Sequence, residues 1–128
     1  MAETALVGPD VGGARALMSL LESQGLAIRS ALFVLAAEDA NWRLWLEFAR
    51  PFDDKREAYR RIAAIVAAHQ QEIGGIDTSD IDLIASDNKA LEALGRIVKL
   101  GAGGQVQLSN NMFNGVFLPE AIILKMNR

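Results

Sequence analysis

Ile28-Arg29-Ser30-Ala31-Leu32-Phe33-Val34-Leu35, followed six residues later by Trp42-Arg43-Leu44-Trp45-Leu46-Glu47-Phe48, decides the fold. The first run is apolar on both faces from Ala31 onward, the pattern of a strand in the middle of a sheet. The second alternates. Trp42, Leu44, Leu46 and Phe48 fall on one face and Arg43, Trp45 and Glu47 on the other. Glu38-Asp39-Ala40-Asn41 between them is turn chemistry, so the two runs read as an antiparallel hairpin that ends at Pro51.

Helical periodicity flanks this hairpin. Upstream, Asp10 is placed to cap a helix with Val11, Ala14, Leu17, Met18 and Leu21 on one face and Gly25 as its stop, although Gly12 and Gly13 weaken its first turn. Downstream, Asp54 and Glu57 have capping-box spacing at the start of a helix with Tyr59, Ile62, Ala63, Val66 and His69 or Gln70 inward, stopped by Gly74-Gly75. A short strand is expected over Ile81–Ala85. A helix capped by Ser86 follows, with Ala90, Leu91, Leu94, Ile97 and Val98 inward and Gly101 at its end. The last quarter reads as three strands. Gln105–Leu108 comes first, then a Ser109-Asn110-Asn111 turn. Val116–Leu118 is interrupted by Pro119, and Ala121–Met126 closes the chain, with Asn114-Gly115 as a two-residue hairpin signal. The expected class is α+β: residues 1–9 form a flexible lead and residues 10–128 a single domain. That domain is one mostly antiparallel sheet with three helices packed on it, in the order α-β-β-α-β-α-β-β-β.

The residues of this core resemble a family of small bacterial proteins. They run Ala31-Leu32-Phe33-Val34, Trp42-Arg43-Leu44, Pro51 and Arg56-Glu57-Ala58-Tyr59 in that order, with Asn114-Gly115-Val116 and Glu120-Ala121-Ile122-Ile123 near the end. The likeness spans roughly residues 28 to 126. It implies the same order of elements and supplies neither an activity nor catalytic residues.

Composition narrows function by exclusion. The 128 residues include no cysteine, which removes thiolate nucleophiles, disulfides and iron–sulfur clusters. A net charge of −3 with no basic tail argues against nucleic acid, whose phosphates demand Lys and Arg. The amino terminus has a Glu where a secretory leader has basic residues, and no apolar run reaches membrane-spanning length. The expectation is a cytoplasmic bacterial protein that binds neither membrane nor nucleic acid and uses no cofactor. An apolar fraction of 51% is high enough to suggest surface covered by a second subunit, so a homo-oligomer, most simply a homodimer, or another protein partner is expected.

Candidate chemistry is sparse. Trp45 lies out of phase with the core face of its strand, and with Arg43, Glu47, Leu32 and Val34 forms a candidate interface or ligand platform. A cleft lined by Tyr59, Phe113, Phe117 and His69 is the candidate ligand site. His69, the only histidine, reads as a surface residue at a helix C-terminus, or as a general base beside a carboxylate. Asp77, Asp80, Asp82 and Asp87 lack the spacing of a calcium loop and read as turn, cap and strand-surface residues, with no metal. Ser86-Asp87-Asn88 matches a penicillin-recognition triplet but lacks a separate Ser-x-x-Lys, and Gly101-Ala102-Gly103-Gly104 follows a helix where a phosphate loop precedes one. Lys55, Arg56, Arg60 and Arg61 form a basic patch, solvated or recognising an acid. The leading function is a non-enzymatic oligomeric interaction or regulatory protein. The alternatives are a small-ligand-binding module and an enzyme built on His69.

Overall fold

The computed structural model describes residues 9–35, 41–50, 54–101, 104–113 and 115–128. The lead-in over 1–8, the turn at 38–40, Pro51 and Asn114 lie outside the described residues. The elements run α1 (Val11–Ser23), β1 (Ile28–Leu35), β2 (Trp42–Phe48), α2 (Lys55–Ala68), α3 (Gln70–Ile73), a 3₁₀ turn (Thr78–Asp80), β3 (Ile81–Leu83), α4 (Lys89–Ile97), β4 (Val106–Phe113) and β5 (Val116–Met126). They form one five-stranded sheet in the order β3-β2-β1-β5-β4. The doubly apolar β1 is central, and it pairs antiparallel with β2 and with β5. Only β3 runs parallel to its neighbour, because α2 and α3 carry the chain back from the end of β2 before β3 begins. The class is α+β, a single domain.

Helices cover both faces. Ala31, Phe33, Leu44, Leu46 and Phe48 point to the face where Leu17 and Leu21 of α1 and Ile62 and Val66 of α2 bury. Leu32, Val34, Ala121 and Ile123 point to the other, where Ala90, Leu91 and Leu94 of α4 meet them. Two bulges adjust the alternation. In β1 the pairing slips between Ile28 and Ser30, so Ile28 opposite Phe48 joins the first face and Ser30 opposite Glu47 the second. In β5 the matching slip leaves Leu124 extra between Ile123 and Lys125. Lys125 therefore reaches Glu22 on α1 (3.0 Å), while Met126 turns to the face of α4.

Local signals explain most boundaries. Asp10 Oδ1 accepts the Gly13 N–H (2.8 Å), capping α1. Gly25 at φ +84° ends it, with Leu26 N–H bonded to the Leu21 carbonyl (3.0 Å) and Gly25 N–H to that of Glu22 (3.1 Å), a Schellman closure.

Several expectations are corrected. The second helix breaks at His69 into α2 and α3, raising the helix count to four among the described residues. Asp54 caps α2 through the Arg56 N–H (3.0 Å), but Glu57 turns to Arg60 instead of completing a box. α4 is capped by Asn88, whose Oδ1 accepts the Leu91 N–H (3.1 Å), not by Ser86, and Ile97 at its end is 67% exposed. The last three strands are two. Ser109-Asn110-Asn111 is no turn, because β4 holds one register against β5 from Val106–Ile123 to Phe113–Val116. In that register Asn110 falls opposite Pro119, which has no N–H to give, and Asn110 takes φ +53° there. β4 and β5 stay paired up to Phe113 and Val116, on either side of the Asn114-Gly115 signal, and Gly115 takes φ +84°.

The 3₁₀ turn before β3 is a capping box. Asp77 accepts the Ser79 hydroxyl (2.6 Å) and backbone N–H (3.2 Å), and Asp80 accepts the Asp77 N–H (3.0 Å). The Ser79 hydroxyl, then its N–H, holds the Asp77 carboxyl below its ordinary pKa. A lowered native pKa adds stability that is present above the unfolded value and is lost as pH falls through the native one. Asp77→Asn should therefore flatten the acid limb of a urea-midpoint profile below about pH 4. An unchanged slope there would show that the box contributes nothing.

Candidate functional site

The parallel strands β2 and β3 end on the same side, and α2 begins there. A cleft of about 210 Å³ opens at this edge of the sheet. Its floor is apolar. Leu46 and Leu83 are register partners across β2 and β3, Phe48 closes β2, and Ile84 continues β3 by donating its N–H to the Leu46 carbonyl (2.9 Å). Its rim is cationic, with Arg50 just after β2 and Lys55, the first residue of α2. Both side chains are exposed, and among the described residues neither has an ion-pair partner. Open α/β sheets bind ligands beyond the carboxyl ends of parallel strands, because loops and a helix start converge there on exposed strand ends.

Two contacts set the width of this cleft. Tyr59, one turn along α2 from Lys55, accepts the Leu83 N–H on its hydroxyl (3.0 Å). β3 is an edge strand, so this N–H has no ladder partner, and the phenol ties α2 to the strand. On the far wall the Ser86 carbonyl accepts from Arg128 Nη2 (2.7 Å).

Arg128 leads to a second polar centre on the α4 face. Glu47 is 1% exposed. Its Oε1 accepts the Ser30 hydroxyl (2.8 Å) and a longer bond from Arg128 Nη1 (3.5 Å). Its Oε2 accepts no hydrogen bond, and the Arg29 guanidinium stands 3.8 Å away. The centre lies between the two bulges, which bring Ser30, Glu47 and Met126 onto one face. Ser30 is fully buried, so this group is a packed structural network rather than a substrate site.

The residues singled out from sequence are dispersed. Trp45, Leu32 and Val34 share the α4 face, but Leu32 and Val34 are buried there and only Trp45 is half-buried. Arg43 is joined to Asp82 of β3 by two bonds (2.8 and 3.1 Å), a fork that raises its pKa above the ordinary guanidinium value, chiefly through the hydrogen bond. Tyr59 is not among the residues that line the observed cleft, although its hydroxyl accepts the Leu83 N–H of the floor. Phe117 lies on β5, three strands from β3 and half-exposed, and the Phe113 side chain lies outside the described residues. His69 ends α2 with Nδ1 2.5 Å from Glu72 Oε2, a pair within one turn. It is about 20 Å from Lys55 along the helix axis, so it cannot serve the cleft.

Arg50, Phe48, Leu83 and Ile84 escaped sequence reasoning as site residues. A parallel pairing of β2 with β3 is what collects them, and no local pattern signals it. Lys55 was legible only as part of a basic patch. No helix among the described residues is long and apolar enough to cross a membrane. No protein-family model, curated protein or solved structure matches the chain.

Proposed function

We propose that the protein is a small-ligand-binding module whose ligand sits in the cleft at the ends of β2 and β3. One observation carries the reading: an apolar floor and two cations that have no ion-pair partner among the described residues converge where a helix starts beyond two parallel strands. The described lining residues include no carboxylate, imidazole or thiol, and Ser86 and Lys55 share no hydrogen bond, so the reading is binding without chemistry.

A homodimer is the second reading, favoured by a different feature. Met112 and Phe117 face each other across β4 and β5, are 63% and 48% exposed, and lie beyond the last pairing of β1 at Leu35–Glu120. An apolar cross-strand pair on a projecting hairpin suits contact with a second copy.

Native mass spectrometry of gently purified protein across a dilution series separates the two. The binding reading expects a monomer with a reproducible added mass, lost in Ala85→Trp, which fills the mouth of the cleft from an exposed position. A dimer that persists on dilution with no added mass, and that Phe117→Asp dissociates, would replace it with the second reading.

A further inference from the structure

We infer that the ligand of this cleft is an amphipathic monoanion, a short- to medium-chain or small aromatic carboxylate, with its apolar part against Phe48, Leu83 and Ile84 and its head group at Arg50 and Lys55. The inference rests on the ligand-binding reading above and adds the ligand's chemical class.

Three observations lead to it. The first is size. A volume of about 210 Å³ takes about seven groups of water or methylene size at roughly 30 Å³ each, the scale of a six-carbon acid. The second is polarity. A wholly polar ligand would desolvate against Phe48, Leu83 and Ile84 with no hydrogen bonds from them in return, and a wholly apolar one would leave two cations uncompensated at the mouth. The third is charge. The chain carries −3 overall, yet the described residues that line the cleft include two cations, Arg50 and Lys55, and no carboxylate. Two cations at the mouth favour an anionic head group, and the apolar lining behind them disfavours an anion as fully hydrated as phosphate. Of the basic patch on α2, Arg60 is paired with Glu57 and Arg61 reaches the Gln24 carbonyl (3.4 Å), and of the remaining Lys55 and Arg56 it is Lys55 that lines the cleft.

The test is an amide-shift NMR titration of the full chain with sodium hexanoate, 1-hexanol and inorganic phosphate. Hexanoate is expected to move the amides of Phe48, Arg50, Lys55 and Ile84 saturably, with about tenfold higher affinity than hexanol. In Arg50→Gln/Lys55→Gln, a surface double variant that leaves the core intact, hexanoate should fall to the hexanol level. Equal affinities for hexanoate and hexanol would overturn the anion while leaving ligand binding intact. Phosphate saturating the same amides as well as hexanoate would overturn the amphipathic class. No saturable shift with any probe would remove the binding reading together with this inference.

Discussion

Gly13→Ala is expected to destabilise the protein by about 2 kcal/mol, against the direction that helix propensity gives. In an open helix, replacing Gly by Ala stabilises by up to about 1 kcal/mol. At Gly13 a Cβ would stand 2.2 Å from the Ile73 carbonyl oxygen and 2.6 Å from Asp10 Oδ2. The first obstacle is backbone, so α1 must move away from α3, and overpacking of that kind costs about 1–3 kcal/mol. Gly74 closes the same junction from the other side. It holds φ +66°, and a Cβ there would meet Asp10 Oδ2 at 2.1 Å. Gly12 is the internal control, because its nearest obstacle is Asp10 Oδ1 at 3.8 Å. Gly12→Ala should leave the melting temperature unchanged or raise it, and Gly13→Ala should lower it by about 8 °C. Calorimetry of the two variants decides the matter. If both alanines behave alike, α1 and α3 do not approach as closely as described.

The second large effect is an asymmetry around Glu47. Arg128→Met should destabilise by about 2 kcal/mol, and Glu47→Met by less than half as much. The physical cause is which charge stays buried. Without Arg128, the fully enclosed carboxylate keeps only the Ser30 hydroxyl and an Arg29 guanidinium at 3.8 Å. Without Glu47, the charges left behind are on Arg128 and Arg29, whose side chains are 14% and 41% exposed and regain water. Met retains the aliphatic packing of Arg128 against Gly95, where a Cβ would lie 3.1 Å from Arg128 Cδ. The lost bond from Arg128 Nη2 to the Ser86 carbonyl is common to the single and double Arg128 variants, so it cancels in a double-mutant cycle. Urea denaturation should show the double variant more stable than Arg128→Met alone. A double variant no better than the sum of the two singles would mean that Glu47 and Arg128 are not coupled.

These effects are invisible in sequence for one reason. Gly12 and Gly13 are adjacent and chemically identical, and what separates them is the carbonyl of a residue sixty positions away. Glu47 reads as the polar face of an alternating strand. Its burial depends on α4 and Arg128 closing over a face that the strand pattern gives to Arg43, Trp45 and Glu47.

What the sequence determined by itself is local. The alternation in Trp42–Phe48, the apolar run in β1, the Asp10 cap, the Gly25 stop and the glycine at position 115 each act through neighbours within a few residues, and each places its element where the structure has it. The tertiary structure decided the rest. It paired β3 parallel to β2, split the second helix at His69, and carried β4 straight through Ser109-Asn110-Asn111 because β5 held it in register. It also assembled the cleft, since Arg50 and Lys55 meet Leu83 and Ile84 only once the α2 crossover has brought the ends of two strands together. Such contacts join residues some thirty positions apart, and their free energy comes from surfaces that exist only after the chain has closed on itself.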